Sequence, residues 1–217
     1  MPAEIGPLSA PRISGLYLAS SSAGKLREYR AIAADVAPQL ALDLIPDFAA
    51  LPPFDESAPT FAENAAGKAL HYSRLLTLRP GTAVFADDSG LAVTALGGRP
   101  GVHSARYAGP NASDAQRTAK LLEELRASGS ADRGARFICA IALAARGRVS
   151  AVISGSVEGE ILAAPRGDHG FGYDPVFWFA PLGKTFAELS PEQKNAHSHR
   201  GRAFRKLLSF LASAPVL

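Results

Sequence analysis

A chain of 217 residues, 47% apolar and 20% charged, is long enough to bury a substantial core as one large domain or two small lobes, and too apolar to be disordered throughout. Its net charge of +3 is compatible with anionic substrates and too weak to argue by itself for nucleic acid. A single cysteine, Cys139, excludes an internal disulfide; without an apolar N-terminal leader or an apolar run of about 18 residues, the expected compartment is the cytoplasm and no membrane span is expected.

Residues 1–14 carry turn-forming prolines and no periodicity, and read as a loose N-terminal extension. A short strand over Leu16–Ala19 runs into Ser20-Ser21-Ser22-Ala23-Gly24-Lys25, and a helix follows with Leu26, Tyr29, Ile32 and Ala33 on one face. Leu40–Ile45 read as a second strand, and Pro52-Pro53 and Pro59 mark a loop. Thr60 with Glu63 three residues on fits a capping box, opening a helix to about Leu78. Ala83–Ala86 predict a short buried strand ending on Asp87-Asp88, with Ser89-Gly90 turning the chain before the apolar run Leu91–Ala95. Gly97–Gly101 is too rich in Gly and Pro for regular structure. Ser113 and Gln116 cap a further helix, apolar at Leu121, Leu122 and Leu125. Phe137–Ala145 has the near-continuous apolar run of a central strand, and Val149–Val157 can pair with it through Arg146-Gly147-Arg148. Ser190-Pro191-Glu192-Gln193 opens a helix, and Phe204, Leu207, Leu208 and Leu211 form the core-facing stripe of the C-terminal one. Strands and helices interleave throughout, which argues an α/β fold with a mixed sheet.

Several stretches carry chemistry. Two adjacent carboxylates at the mouth of a buried strand repel each other and lose hydration, which a hard cation such as Mg²⁺ relieves with oxygen ligands; a solvated Asp-Asp-Ser-Gly turn is the competing account. Ser20 to Lys25 joins a strand to a helix N-terminus, where free amides and the lysine make an anion site, against a Ser-rich N-cap beside a solvated lysine. It is not a Walker A loop, since Leu26 stands where a metal-binding hydroxyl is required. Asp55-Glu56 adds carboxylates in a loop, and Asn64 and Lys68 share one helix face; surface charge or a metal partner for Asp88 both account for them. In Gly170-Phe171-Gly172-Tyr173-Asp174 the glycines admit a flat ligand that Phe171 can stack on, unless the Phe is merely buried in a turn. Lys194, Ser198, His199 and Arg200 reach one end of the C-terminal helical region, where a plain basic face is the alternative. His197 and His199, two apart, make a poor chelating pair on one helix.

Five ordered segments, LASSSAGKLREY, TFAENAAGKA, FADDSGLAVTALGGRPGVHSARYAG, GFGYDPVF and KTFAELSPEQKNAHSHRGRA, together resemble the Ham1-type inosine triphosphate pyrophosphatase family from residue 16 to 208. The resemblance implies Mg²⁺-dependent hydrolysis of ITP, dITP and XTP to the monophosphate and pyrophosphate by a homodimer, without a stable nucleic-acid partner. It implies an elongated mixed sheet with flanking helices, as one domain over residues 15–217 with two lobes around an active-site cleft. Carried over by position, Ser20, Ser21, Ser22, Ala23, Gly24 and Lys25 hold the triphosphate. Asp88 binds metal and activates water, and Glu56 or Asp55 is the second metal carboxylate. Ser89, Phe171, Gly172, Tyr173, Asp174, Lys194, His199 and Arg200 contact the nucleotide, with the aromatic and the His-Arg pair nearest the base. The chain departs from the family at Ser20-Ser21-Ser22, where Thr-Gly-Asn is usual, and lacks the frequent glycine after Glu56. A Maf-type pyrophosphatase of modified pyrimidine nucleotides is the enzymatic alternative, opposed by the Gly-Phe-Gly-Tyr-Asp and Ser-His-Arg segments. A nucleic-acid-binding module using the basic C-terminal helix is the other, and gives no reason for buried carboxylates.

Overall fold

The computed structural model describes residues 13–213. The extension expected over residues 1–14 lies outside the described residues apart from Ile13 and Ser14. Seven strands form one mixed sheet in the order β2-β1-β3-β4-β5-β6-β7. The short strands β1 (Gly15–Leu18) and β2 (Ala41–Leu44) run parallel to each other, and β1 runs parallel to β3 (Thr82–Val93). From β3 onward the pairing is antiparallel, through β4 (Gly134–Ala145), β5 (Arg148–Ile161), β6 (Phe177–Phe179) and β7 (Lys184–Thr185). The β4–β5 hairpin closes through Arg146 and Gly147, both at positive φ (51° and 69°), the left-handed pair that a two-residue turn between twisted strands requires.

Strand alternation sorts the helices onto two faces. Ala83, Phe85, Cys139, Ile141 and Leu143 pack with α1 (Ala23–Val36) and α5 (His199–Ser213), around Tyr29, Ile32, Phe204 and Leu207. Val84, Ala86, Ala140, Ala142 and Ala144 face α2 (Phe61–Leu75), which meets them with Ala65 and Ala69. Small residues on both sides bring α2 close to the sheet, and β3 and β4 read as continuous apolar runs because both their faces are covered. A third cluster, holding Phe137, Phe177 and Phe186, lies where α3 (Asp114–Ala127) meets the far half of the sheet.

Two expectations change. Ser89-Gly90 does not turn the chain; β3 continues through it, with Ser89 opposite Cys139 and Gly90 opposite Ile138. A full partner strand overrides the local turn preference of Ser-Gly. Gly90 is needed for a different reason: a Cβ there would lie 2.4 Å from Ser104 Oγ and 2.6 Å from the Gly101 carbonyl, so its bare backbone lets the short 3₁₀ helix Gly101–Arg106 close on the strand. The segment from Pro191 to Arg200, weighed for His197 and His199 as one helix, holds a break: α4 (Pro191–His197) ends and α5 begins at Ser198, whose hydroxyl accepts from the Gly201 N–H. His197 and His199 therefore sit on different helices. The α2 start differs in detail: Thr60 Oγ1 accepts from the Glu63 N–H, while its hydroxyl, not its amide, meets the Glu63 carboxylate. The Ser113 and Ser190 capping boxes form in full.

Candidate active site

Because β3 runs straight through Asp87-Asp88, the two carboxylates leave on opposite faces rather than colliding at a turn. Asp87, 1% exposed, points toward α1 and α5. Lys25 Nζ donates to its Oδ1 at 2.9 Å and lies 2.8 Å from its Oδ2, and Arg200 Nε lies 3.6 Å from Oδ2. Burial alone would raise the Asp87 pKa; Lys25 and then Arg200 outweigh it and hold the group well below the usual carboxylate range.

Asp88 points to the α2 face and meets no cation. Its Oδ2 accepts from Asn64 Nδ2 at 3.0 Å, and Asn64 is itself locked by bonds to both the N–H and the carbonyl of Ala58. Burial raises the Asp88 pKa to about 6; the Asn64 bond opposes this, while the carboxylates of Glu56 and Asp87 add to it. Glu56 is paired with Lys68, which that pairing keeps charged against the cost of its burial.

These groups line a cavity of about 220 Å³. Lys25, Glu56, Lys68, Asp88, Ser89, Phe171, Gly172, Tyr173, Asp174, Lys194, His199 and Arg200 all border it. Five carboxylates line it: Glu56, Asp87, Asp88, Asp114 and Asp174. Among the described residues, four are ion-paired, with Lys68, Lys25, Arg117 and Lys194 respectively, and Asp88 is not.

Lys194 Nζ donates to Asp174 Oδ2 at 2.6 Å, and Arg200 Nη1 donates to Glu28 Oε2 at 2.6 Å, with Lys194 also 3.7 Å from Glu28. The Phe171 ring, 46% exposed, has Lys194 Nζ 4.5 Å and the Arg200 guanidinium 5.2 Å from its centroid. His199 stacks on Phe137 with ring centres 4.7 Å apart. Burial, then the Arg200 and Lys194 charges, push its pKa well down, so the imidazole is neutral; its buried Nδ1 has no hydrogen-bond partner.

The remaining expected residues lie outside the cavity lining. Ser22 caps α1, its hydroxyl accepting from the Lys25 N–H at 3.2 Å, and Ser20 Oγ accepts from the Ser22 N–H at 3.1 Å. The Ala23 and Gly24 amides stand in the helix's first turn, where no intrahelical acceptor exists. Asp55 is exposed and does not border the cavity, whereas Glu56 does. Sequence reasoning set Asp87 beside Asp88 as a carboxylate pair that a cation relieves, whereas the structure pairs Asp87 with Lys25 on the opposite face of β3; it gave no site role to Asn64, Lys68, Glu28, Asp114 or Arg117. Asn64 and Lys68 sit on a helix face as any solvated pair does, and nothing local marks Glu28, whose partner Arg200 lies 172 positions away.

The Ham1 family profile matches residues 16–210, and the chain belongs to this family. It is 52% identical over 192 residues to a dITP/XTP pyrophosphatase of Geobacillus kaustophilus, covering 88% of this chain and 91% of the relative. Another dITP/XTP pyrophosphatase, from Gloeobacter violaceus, is 52% identical over 194 residues, covering 89% and 92% of the two chains. Among solved structures, a Ham1 protein from Coxiella burnetii superposes with a TM-score of 0.82 at 42% identity, over 92% of this chain and 99% of that one. The Staphylococcus aureus Ham1 protein gives 0.77 at 40% identity, over 91% and 98%. The mixed seven-stranded sheet with flanking helices is the fold of these structures.

Proposed function

We propose that this protein hydrolyses the purine nucleoside triphosphates ITP, dITP and XTP to the monophosphate and pyrophosphate. Its relatives at about half identity over nearly their full length carry the name dITP/XTP pyrophosphatase. The observation that carries the reading is Asp88: a carboxylate left without a cation, among paired ones, in a pocket that also presents lysines and an aromatic face.

Asp88 and Glu56 fit a hard divalent cation. Asp88 is raised by burial and by the Glu56 charge, a strain that a bound cation relieves, and two carboxylates are what Mg²⁺ takes when substrate phosphates and water complete its shell. Mg²⁺ bound there would neutralise phosphate charge and acidify water. Asn64 holds Oδ2 of Asp88 and so fixes its plane, and above pH about 6 the ionised group accepts the proton of the attacking water. Lys25 and Lys68 offset the charge of the triphosphate, joined by the first-turn amides of α1. Phe171 supplies the face on which the purine stacks, and the neutral His199 borders the same cavity toward the base. Arg200, held by Glu28 and Asp87, backs the Phe171 ring.

The same reading makes the chain a single two-lobed domain over residues 15–217, acting as a cytoplasmic homodimer. Among the described residues no helix is long and apolar enough to cross a membrane. The test is a panel of ITP, dITP, XTP, GTP and ATP with Mg²⁺, assayed separately for pyrophosphate and orthophosphate. Pyrophosphate release with kcat/KM for ITP well above that for ATP is expected. Orthophosphate release, or equal kcat/KM for ITP and ATP, would overturn the proposal.

A further inference from the structure

The loop that carries Phe171 is held by α3, whose Asp114 and Arg117 border the same pocket. Residues 163–170 leading into it are exposed but tied down at Arg166 and His169, whose N–H groups donate to the Pro175 and Ala187 carbonyls, and the residues from Phe171 on have fastenings of their own. The Phe171 N–H donates to Asp174 Oδ2 at 2.9 Å, and Tyr173 Oη donates to the Ser104 carbonyl at 2.9 Å. Gly172, between them, is gripped at both ends of its backbone by α3. Its N–H donates to Asp114 Oδ2 at 2.7 Å, and its carbonyl accepts from Thr118 Oγ1 at 3.3 Å. Asp114 does not float: its other carboxylate oxygen is paired with Arg117, whose guanidinium also donates to the carbonyls of Ala105 and Ala112.

Gly172 sits at φ +63°, a conformation that L side chains rarely adopt, and a φ change there swings the preceding residue's side chain. The amide–carboxylate bond is the short, charge-assisted one of the two. We infer that Asp114, oriented by Arg117, is a positioning residue that sets the Phe171 ring at stacking height over the pocket. It acts on nucleotide affinity through Phe171, its two carboxylate oxygens being taken by the Gly172 N–H and by Arg117. The inference rests on the reading of the pocket as a purine nucleotide site. Because stacking uses the π-face common to all purines, Asp114 tunes affinity for ITP and XTP alike and does not choose between them.

A double-mutant cycle tests this on the full-length enzyme with saturating Mg²⁺. Phe171→Ala should raise KM for ITP at least tenfold. Asp114→Ala should raise it about tenfold, the worth of one hydrogen bond to a charged group, by the same factor for XTP, with kcat within about threefold of the parent. In the Phe171→Ala background, Asp114→Ala should add less than twofold. Asp114→Asn keeps an acceptor for the Gly172 N–H and should give an intermediate effect; it takes the place of the alanine variant in the cycle if that one does not fold. An Asp114 effect that multiplies onto that of Phe171→Ala, that falls on kcat, or that is absent would overturn the inference. A parent enzyme that does not release pyrophosphate from ITP, or a Phe171→Ala variant with unchanged KM, would instead overturn the reading of the pocket on which it rests.

Discussion

Asp87 and Asp88 are neighbours in sequence, and the same substitution to asparagine should move the melting temperature in opposite directions. Asp87 is fully buried between Lys25 and Arg200, and its folded pKa lies below that of the unfolded chain. Its stabilisation is therefore present above pH about 4 and lost as pH falls through the folded value. Removing one member of a buried ion pair costs about 3–5 kcal/mol. The low end applies, because Lys25 is 22% exposed and Arg200 keeps Glu28. At about 2–4 °C per kcal/mol for a chain of this size, Asp87→Asn should melt about 6–12 °C below the parent. Asp88 is the reverse case: its folded pKa is raised to about 6, so its contribution is complete below pH about 4 and lost as pH rises through 6. A rise of about two pKa units corresponds to about 3 kcal/mol, and halving this for the solvent that reaches the group leaves about 1.5 kcal/mol of destabilisation at pH 7.5. Asp88→Asn should then melt about 3–6 °C above the parent while hydrolysis falls at least 100-fold. The measurement is thermal melting of all three proteins at pH 7.5 with a chelator present, so that no divalent cation repays the Asp88 charge. A lowered melting temperature for Asp88→Asn, or an unchanged one for Asp87→Asn, would refute the reasoning.

Three further outcomes are expected. The kcat/KM of the parent for ITP should fall as pH drops through about 6, where Asp88 takes up the proton that disqualifies it as a base; a pH profile flat from 7 to 5 would contradict this. Lys25→Ala should cost more in kcat/KM than Ser22→Asn, which should change it less than about tenfold, because the Ser22 hydroxyl is engaged in capping α1 while Lys25 brings a full charge to the pocket; steady-state kinetics on the two variants decides. Gly90→Ala should destabilise by about 2 kcal/mol or more, read as a melting shift, because its Cβ would force Ser104 away and break that residue's bond to the Leu91 N–H.

What was legible in the sequence was local chemistry. Capping at Ser113 and Ser190 depends on residues three apart, and the stripes of α1 and α5 depend on a repeating face, so both could be read without knowing the partner elements. The continuous β3 could not: Ser89-Gly90 carries a turn signal, and only ten registered pairs with β4 override it. The break at Ser198 was hidden because α4 and α5 together keep a helical composition, and only the bond to the Gly201 N–H marks the second start. The candidate site was legible where residues resemble a family motif, and opaque where a role is created by folding. Asn64 matters because it reaches Asp88 across 24 positions, and Glu28 because the sheet brings α5 beside α1.

The placement of charge around the pocket gives one physical reason for its organisation. Lys25, Asp87, Arg200, Glu28, Lys194 and Asp174 form a chain of alternating sign, each member within 3.7 Å of the next. The chain ties α1, β3, α5, α4 and the Phe171 loop together, from Lys25 to Asp174. Buried charges left unpaired are costly, so such a chain holds only when every member keeps its neighbour. It therefore holds these elements in one arrangement around the pocket, which is what the proposed reading needs to present a stacked base and a reacting phosphate at once. Asp88 lies outside the chain, on the other face of β3, and among the described residues forms no ion pair, Lys25 acting on it only at a distance. A lysine there would stabilise the fold and lower the carboxylate's basicity together. Withholding one leaves Asp88 raised by burial and short of the positive charge that a divalent cation would bring.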